Sequence, residues 1–134
     1  MANSMQIGVV PILSKKKKPH IVLVTARGKE RWLLPKGNQH RRYKRREMAL
    51  NEAYEEAGLI GKIRIKHYID VRFRKGGRWI VLRLYPMEVQ RILKSWPERG
   101  SRQRAVIDAR KANKFLRCKQ LSAGVEHLVS VAAT

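Results

Sequence analysis

The chain has 134 residues, enough to enclose one hydrophobic core and too few for two independent ones, so a single domain spanning 1–134 is expected. Hydrophobic residues make up 43% of it and apolar runs recur from Met5 to Val131, which excludes global disorder; its one cysteine, Cys118, excludes an internal disulfide. Against 10 Asp and Glu stand 31 Lys and Arg, a net charge of +21 whose field attracts polyanions, so a phosphorylated ligand or partner is expected.

Met5–Leu13 and Ile21–Ala26 are rich in Val and Ile and bounded by breakers, which predicts two strands joined by the Lys15–Lys18 run and Pro19. Arg27-Gly28-Lys29 reads as a turn, Arg31–Leu34 as a short strand stopped by Pro35, and the basic stretch from Pro35 to Arg45 as a loop. Arg46–Ala57 is a predicted helix with Gly58 in the stop position. Ile63–Arg72 and Arg78–Tyr85 flank Lys75-Gly76-Gly77 as a hairpin. Val89–Trp96 is predicted as a short helix, Pro97–Gln103 as a loop, Ala105–Ile107 as a brief strand, and Ala109–Leu116 and Gln120–Val131 as helices. Strands and helices in this order predict an α/β (α+β) architecture, a mixed sheet with helices packed on it. No stretch approaches the roughly 18–20 apolar residues that span a bilayer, and the N-terminal lysines follow the apolar run instead of preceding it. With the lone cysteine, this predicts a soluble, cytoplasmic protein.

The predicted helix carries an unusual concentration of acid. Glu47, Glu52, Glu55 and Glu56 are four of only ten carboxylates. At about 100° per residue, Leu50, Ala53, Tyr54 and Ala57 share one face and Glu52, Glu55 and Glu56 the other. Like charges at i and i+4 cost a few tenths of a kcal/mol, and negative charge in the last turn opposes the helix dipole by roughly 0.3–1 kcal/mol. A bound cation would reverse both penalties, and three oxygen donors suit Mg²⁺ or Mn²⁺. Pairing with Lys44, Arg45 or Arg46 on a solvated face would answer the same penalties. The histidines His20, His40, His67 and His127 show no metal-ligand spacing. Trp32, Trp79 and Trp96 are expected to serve the core rather than base stacking.

Leu34-Pro35-Lys36-Gly37 and then Glu52-Ala53-Tyr54-Glu55-Glu56-Ala57-Gly58-Leu59 resemble the signature box of the Nudix hydrolases, with ungapped spacing from Gly37 to Leu59. Two positions depart from that pattern: Tyr43 stands where the family has its first glutamate, and Asn51 where it has an arginine that helps hold the glutamate cluster. Arg31–Gly37, Tyr85-Pro86 and Trp96-Pro97-Glu98 are similar to the subgroup that includes diphosphoinositol polyphosphate and diadenosine polyphosphate hydrolases.

The resemblance implies a sheet sandwiched between helices and metal-dependent hydrolysis of a phosphoanhydride. In it the Gly37 carbonyl, Glu52, Glu55 and Glu56 would hold Mg²⁺ or Mn²⁺, and Glu52 would orient or deprotonate the attacking water. Away from the metal, Lys17 and Lys18 in the lysine run, Lys36 beside the box, and Arg74 and Arg78 at the hairpin are the candidate phosphate contacts, with Arg72 and Lys75 beside them. Arg41, Arg42, Lys44, Arg45 and Arg46 in the box loop would add a further contact or offset the glutamates. The competing expectation is a module that has lost catalysis through Tyr43 and Asn51 and holds RNA or another polyanion on its basic surface.

Overall fold

The computed structural model describes residues 4–15 and 17–132, so Lys16 of the lysine run lies outside the described residues. One eight-stranded mixed sheet organises the chain. Its long strands are β1 (Ser4–Lys15) and β7 (Arg78–Ile92), which pair in parallel from Ser4 opposite Ile80 to Ile12 opposite Glu88. β2 (Lys18–Thr25) returns antiparallel along β1, and β3 (Trp32–Leu33) and β8 (Arg104–Asp108) each pair with β2. β4 (Lys36–Asn38) lies against the start of β1, while β5 (Leu59–Ile63) and β6 (Ile69–Lys75) both run antiparallel to β7.

Period-two alternation splits the apolar side chains between the two faces of this sheet. Ile7, Val9, Val22, Val24, Tyr85 and Met87 face α1 (Arg45–Ala57), which returns Met48, Ala49, Ala53 and Ala57. Val10, Ile21, Leu23, Leu82 and Leu84 point the other way, toward α2 (Ala112–Phe115) and α3 (Lys119–Ala132), where Leu116 just past α2 and Val125 and Leu128 of α3 complete a second core. The helix–sheet–helix sandwich expected from the sequence is present. Three buried alanines on α1 let the helix axis approach the sheet closely, and that proximity brings the glutamates onto β4.

At its C-terminal end α1 stops where Gly58 takes φ of 64° and its N–H turns back to the Ala53 and Tyr54 carbonyls. A side chain at this position would need the left-handed region and would meet the Trp96 indole at 2.9 Å.

Several elements differ from the sequence expectation. Val89–Trp96 is not a helix: β7 continues through Ile92 because β5 supplies a partner, with Leu59 opposite Ile92. Hydrogen bonding across the sheet overrides the weak local propensity of this polar stretch. The predicted Ile63–Arg72 strand is two strands with a turn between them, and part of the predicted Pro35–Arg45 loop is β4. The segment from Ala109 forms a 3₁₀ turn to Lys111 followed by the short α2. Tyr54, placed on the buried face by helical periodicity, is 42% exposed, whereas Glu56, placed on the open face, is 7% exposed. Trp79 is also no core residue: it is 38% exposed, with the Arg72 and Arg74 guanidinium carbons 5.6 and 5.4 Å from its ring.

Candidate active site

β4 pairs with β1 so that Gly37 lies opposite Ile7, and α1 crosses above both strands. The Glu52 carboxylate rests directly over the Gly37 α-carbon, where a Cβ would overlap it. Glycine leaves room here for the carboxylate and is not demanded by backbone conformation. One turn further along, the buried Glu56 carboxylate accepts the Lys36 backbone N–H through Oε1 at 3.2 Å and faces Arg102 Nη2 through Oε2 at 3.5 Å.

Glu52 and Glu56 lie one helical turn apart on α1, and each carboxyl influences the proton affinity of the other. Burial pushes the Glu56 carboxyl up to about 8, with Arg102 and the Lys36 N–H pulling it down and Glu52 pushing it further up. Glu52 is raised as well, chiefly by burial, and the charge of Glu55 adds to the effect. A divalent ion entering here would displace the proton from Glu56, so its binding would strengthen as pH rises toward 8.

Glu55 is half-buried and, with Glu52, lines a cleft of about 570 Å³ between α1 and the loop 38–43. Tyr43 and Asn51, the two departures from the box pattern, line this same cleft. Among the described residues no three His, Cys, Asp or Glu side chains stand preassembled as a metal cage. The donor chemistry nevertheless fits a hard cation: a carboxylate pair raised by burial, a third carboxylate beside it, and a glycine that leaves space at the strand.

The end of α1 is held by the segment 93–104. Glu98 donates its backbone N–H to the Glu55 carbonyl at 3.0 Å, Trp96 donates Nε1 to the Glu56 carbonyl at 3.0 Å, and Leu93 donates its N–H to Gly58 at 2.8 Å. Arg104 Nη1 donates to Ala57 and to Leu93, both at 2.8 Å, while its guanidinium stacks 4.0 Å from the Trp96 ring centre. Carbonyls that a helix terminus leaves without partners are thus satisfied by one loop. Arg102 and Arg104 also bring positive charge to a helix end that has no basic residue in its own last turn.

Lys36 joins this site to a second cavity of about 340 Å³, floored by Trp32, Phe73 and Leu121 and edged by Arg31, Arg74 and Lys75. Burial lowers its ammonium below the ordinary lysine value, Lys75 lowers it further, and Glu56 opposes both. Of the five candidate phosphate contacts, Lys36 and Arg74 line this cavity. Arg78 donates instead to Ser4 Oγ at 3.3 Å. Lys17 and Lys18 form the turn at the far end of β1, roughly 25 Å along the strand from the residue that faces Gly37. Arg41, Arg42 and Lys44 of the box loop, and Arg45 and Arg46 in the first turn of α1, are all exposed. No ion pair links Lys44, Arg45 or Arg46 to the glutamates among the described residues; the cation paired with the cluster there is Arg102.

No family model matches the sequence, and no curated protein matches it. Solved structures do. A C. elegans Ap4A hydrolase superposes with a TM-score of 0.81 at 14% identity, covering 98% of this chain and 99% of that one. A Nudix hydrolase from Nitrosomonas europaea gives 0.76 at 10% identity over 97% and 90% of the two chains. A Nudix hydrolase from M. smegmatis gives 0.68 at 16% identity over 96% and 85%. At these identities the shared property is the fold, and this chain has the Nudix fold that its glycine and glutamate spacing resembles.

Proposed function

We propose that this chain is a divalent-cation-dependent hydrolase of a phosphoanhydride bond. The observation that carries the reading is the placement of Glu52 over Gly37 with the buried Glu56 one turn along the same helix, both carboxyls raised by burial. Within the Nudix fold, Glu52, Glu55, Glu56 and the Gly37 carbonyl would hold Mg²⁺ or Mn²⁺. When bound, the ion supplies charge neutralisation at the diphosphate and a more acidic water.

The chain's own residues do the rest. Glu52, which lines the cleft, would orient the attacking water and accept its proton. Glu56 is fixed by two partners and contributes a carboxylate that need not reorganise during the reaction. Lys36 and Arg74 at the adjoining cavity give cationic contacts for the phosphates that leave or remain, with arginine able to bind two oxygens at once. No covalent intermediate on the protein is needed. The substrate class is a nucleoside diphosphate derivative, a dinucleoside polyphosphate or a diphosphoinositol polyphosphate, and the cytoplasm is the proposed setting.

A second reading, a catalytically impaired module that holds RNA or another polyanion, draws on the exposed basic loop beside the cleft, where Tyr43 and Asn51 replace box residues. Turnover separates the two. A panel of nucleotide, dinucleoside and inositol pyrophosphates is assayed with Mg²⁺ and with Mn²⁺, using wild type and Glu56→Gln. Metal-dependent turnover that falls at least about a hundredfold in the variant, with melting preserved, supports the hydrolase. No turnover of any substrate, with RNA bound in a salt-sensitive manner, supports the binding module.

A further inference from the structure

We propose that Arg102 is the positioning residue of the glutamate site, delivered by a loop about fifty residues downstream of the helix it serves. The inference rests on the hydrolase reading above and adds to it a residue outside the box.

Arg102 is nearly enclosed, with 11% of its side chain exposed, and its guanidinium is spent on three partners in different directions. Nε donates to Glu98 Oε1 at 2.7 Å, Nη1 donates to the Thr25 carbonyl at 2.8 Å, and Nη2 faces Glu56 Oε2 at 3.5 Å. The first two contacts are short and anchor a planar group to an acid of its own loop and to the end of β2. A planar fork fixed at two corners leaves the third no freedom, so Nη2 is presented to one oxygen of Glu56. The other Glu56 oxygen is held by the Lys36 N–H. Between them these partners define the plane of the carboxylate and hence the direction of the lone pairs it turns toward Glu52.

The same loop fixes the backbone beneath that carboxylate. Glu98 and Trp96 hold the Glu55 and Glu56 carbonyls, so both the main chain and the side chain of Glu56 are set by residues between 96 and 102. Asn51, where the resembled pattern has arginine, is exposed at the cleft. Arg102 therefore occupies from another element the office of a cation against the glutamates, and a tethered loop replaces a helical neighbour.

The experiment compares wild type, Arg102→Gln and Arg102→Lys by steady-state kinetics on whichever phosphoanhydride the wild type cleaves, by Mn²⁺ titration followed by electron paramagnetic resonance, and by thermal melting. Misorientation of Glu56 predicts that Arg102→Gln loses at least about tenfold in kcat with KM within about twofold, at an unchanged number of Mn²⁺ ions bound per chain. Arg102→Lys, which keeps the charge without the fork, is expected to fall between the two. Wild-type kcat in Arg102→Gln overturns the proposal. So does a loss of activity that tracks an equal loss of Mn²⁺ stoichiometry, because that marks a purely structural role. If Arg102→Gln does not fold, Arg102→Lys carries the same comparison. Wild-type protein that takes up no Mn²⁺ removes the hydrolase reading itself, and this proposal with it.

Discussion

Replacing Gly37 by alanine separates the chemistry of the site from the stability of the fold. Gly37 is not among the glycines with positive φ, so its backbone accepts alanine, and the loss of freedom in the unfolded chain would stabilise the protein by about 0.4–1 kcal/mol. The new methyl group would overlap both oxygens and the carboxyl carbon of Glu52, the mobile end of a long side chain. Restoring an ordinary carbon–oxygen contact of about 3.4 Å moves that carboxylate by roughly 1 Å, which the fold tolerates because Glu52 is only half-buried. Displacement of a catalytic group by about 1 Å costs on the order of a hundredfold in rate. The expected Gly37→Ala protein melts within a few degrees of wild type and hydrolyses its phosphoanhydride about a hundredfold more slowly in saturating Mn²⁺. Turnover within about threefold of wild type would refute the placement of Glu52 over this glycine as the working geometry.

Arg104→Met should act on stability. It strands the Ala57 and Leu93 carbonyls in a part-buried region and removes a cation from the Trp96 ring, costing about 2–4 kcal/mol and about 5–15 °C in melting temperature. A melting temperature unchanged by calorimetry would mean that water satisfies those carbonyls. In chelator, stability should also depend on Glu56. Its ordinary value of 4.5 is raised to about 8 in the folded protein, so the folded state holds a proton that the unfolded state releases between those pH values. That contribution is complete below about 4.5 and is lost as pH rises through about 8. Urea unfolding from pH 5 to 8 should show wild type losing stability relative to Glu56→Gln as pH rises, and Mn²⁺ should reverse the trend in wild type alone. Parallel profiles for the two proteins would remove the buried carboxyl as the cause.

What the sequence conveyed about this molecule was its periodic and spaced features. Val and Ile runs mark β1 and β2, and the helix is legible as Arg46–Ala57 with Gly58 as its stop, one residue short of its observed start. The distance from Gly37 to Glu52 is also readable, although nothing in the residues alone says that the two touch. Periodicity assigned Tyr54 to the core and Glu56 to solvent because it assumes that the apolar face is the buried face; here β4 and the 93–104 segment cover the acid instead. Val89–Ile92 reads as helix until β5 is known to lie beside it. Arg102 and Arg104 sit in an aperiodic basic stretch where each arginine looks like its neighbours, and only tertiary distances distinguish the two that are tied to α1 from the exposed Arg99.

The ties between the 93–104 segment and the end of α1 have a consequence for how the protein is made. Trp96 reaches back forty positions to Glu56, and Arg104 reaches back forty-seven to Ala57. During synthesis the helix can coil as soon as it leaves the ribosome, but its last turn has no partners until β7 and the following loop have emerged. Contacts of such long reach form late, after the entropy of closing the intervening chain has been overcome. The acidic residues are thus assembled after most of the sheet, and a nascent chain halted before Arg104 would carry the helix without its finished terminus.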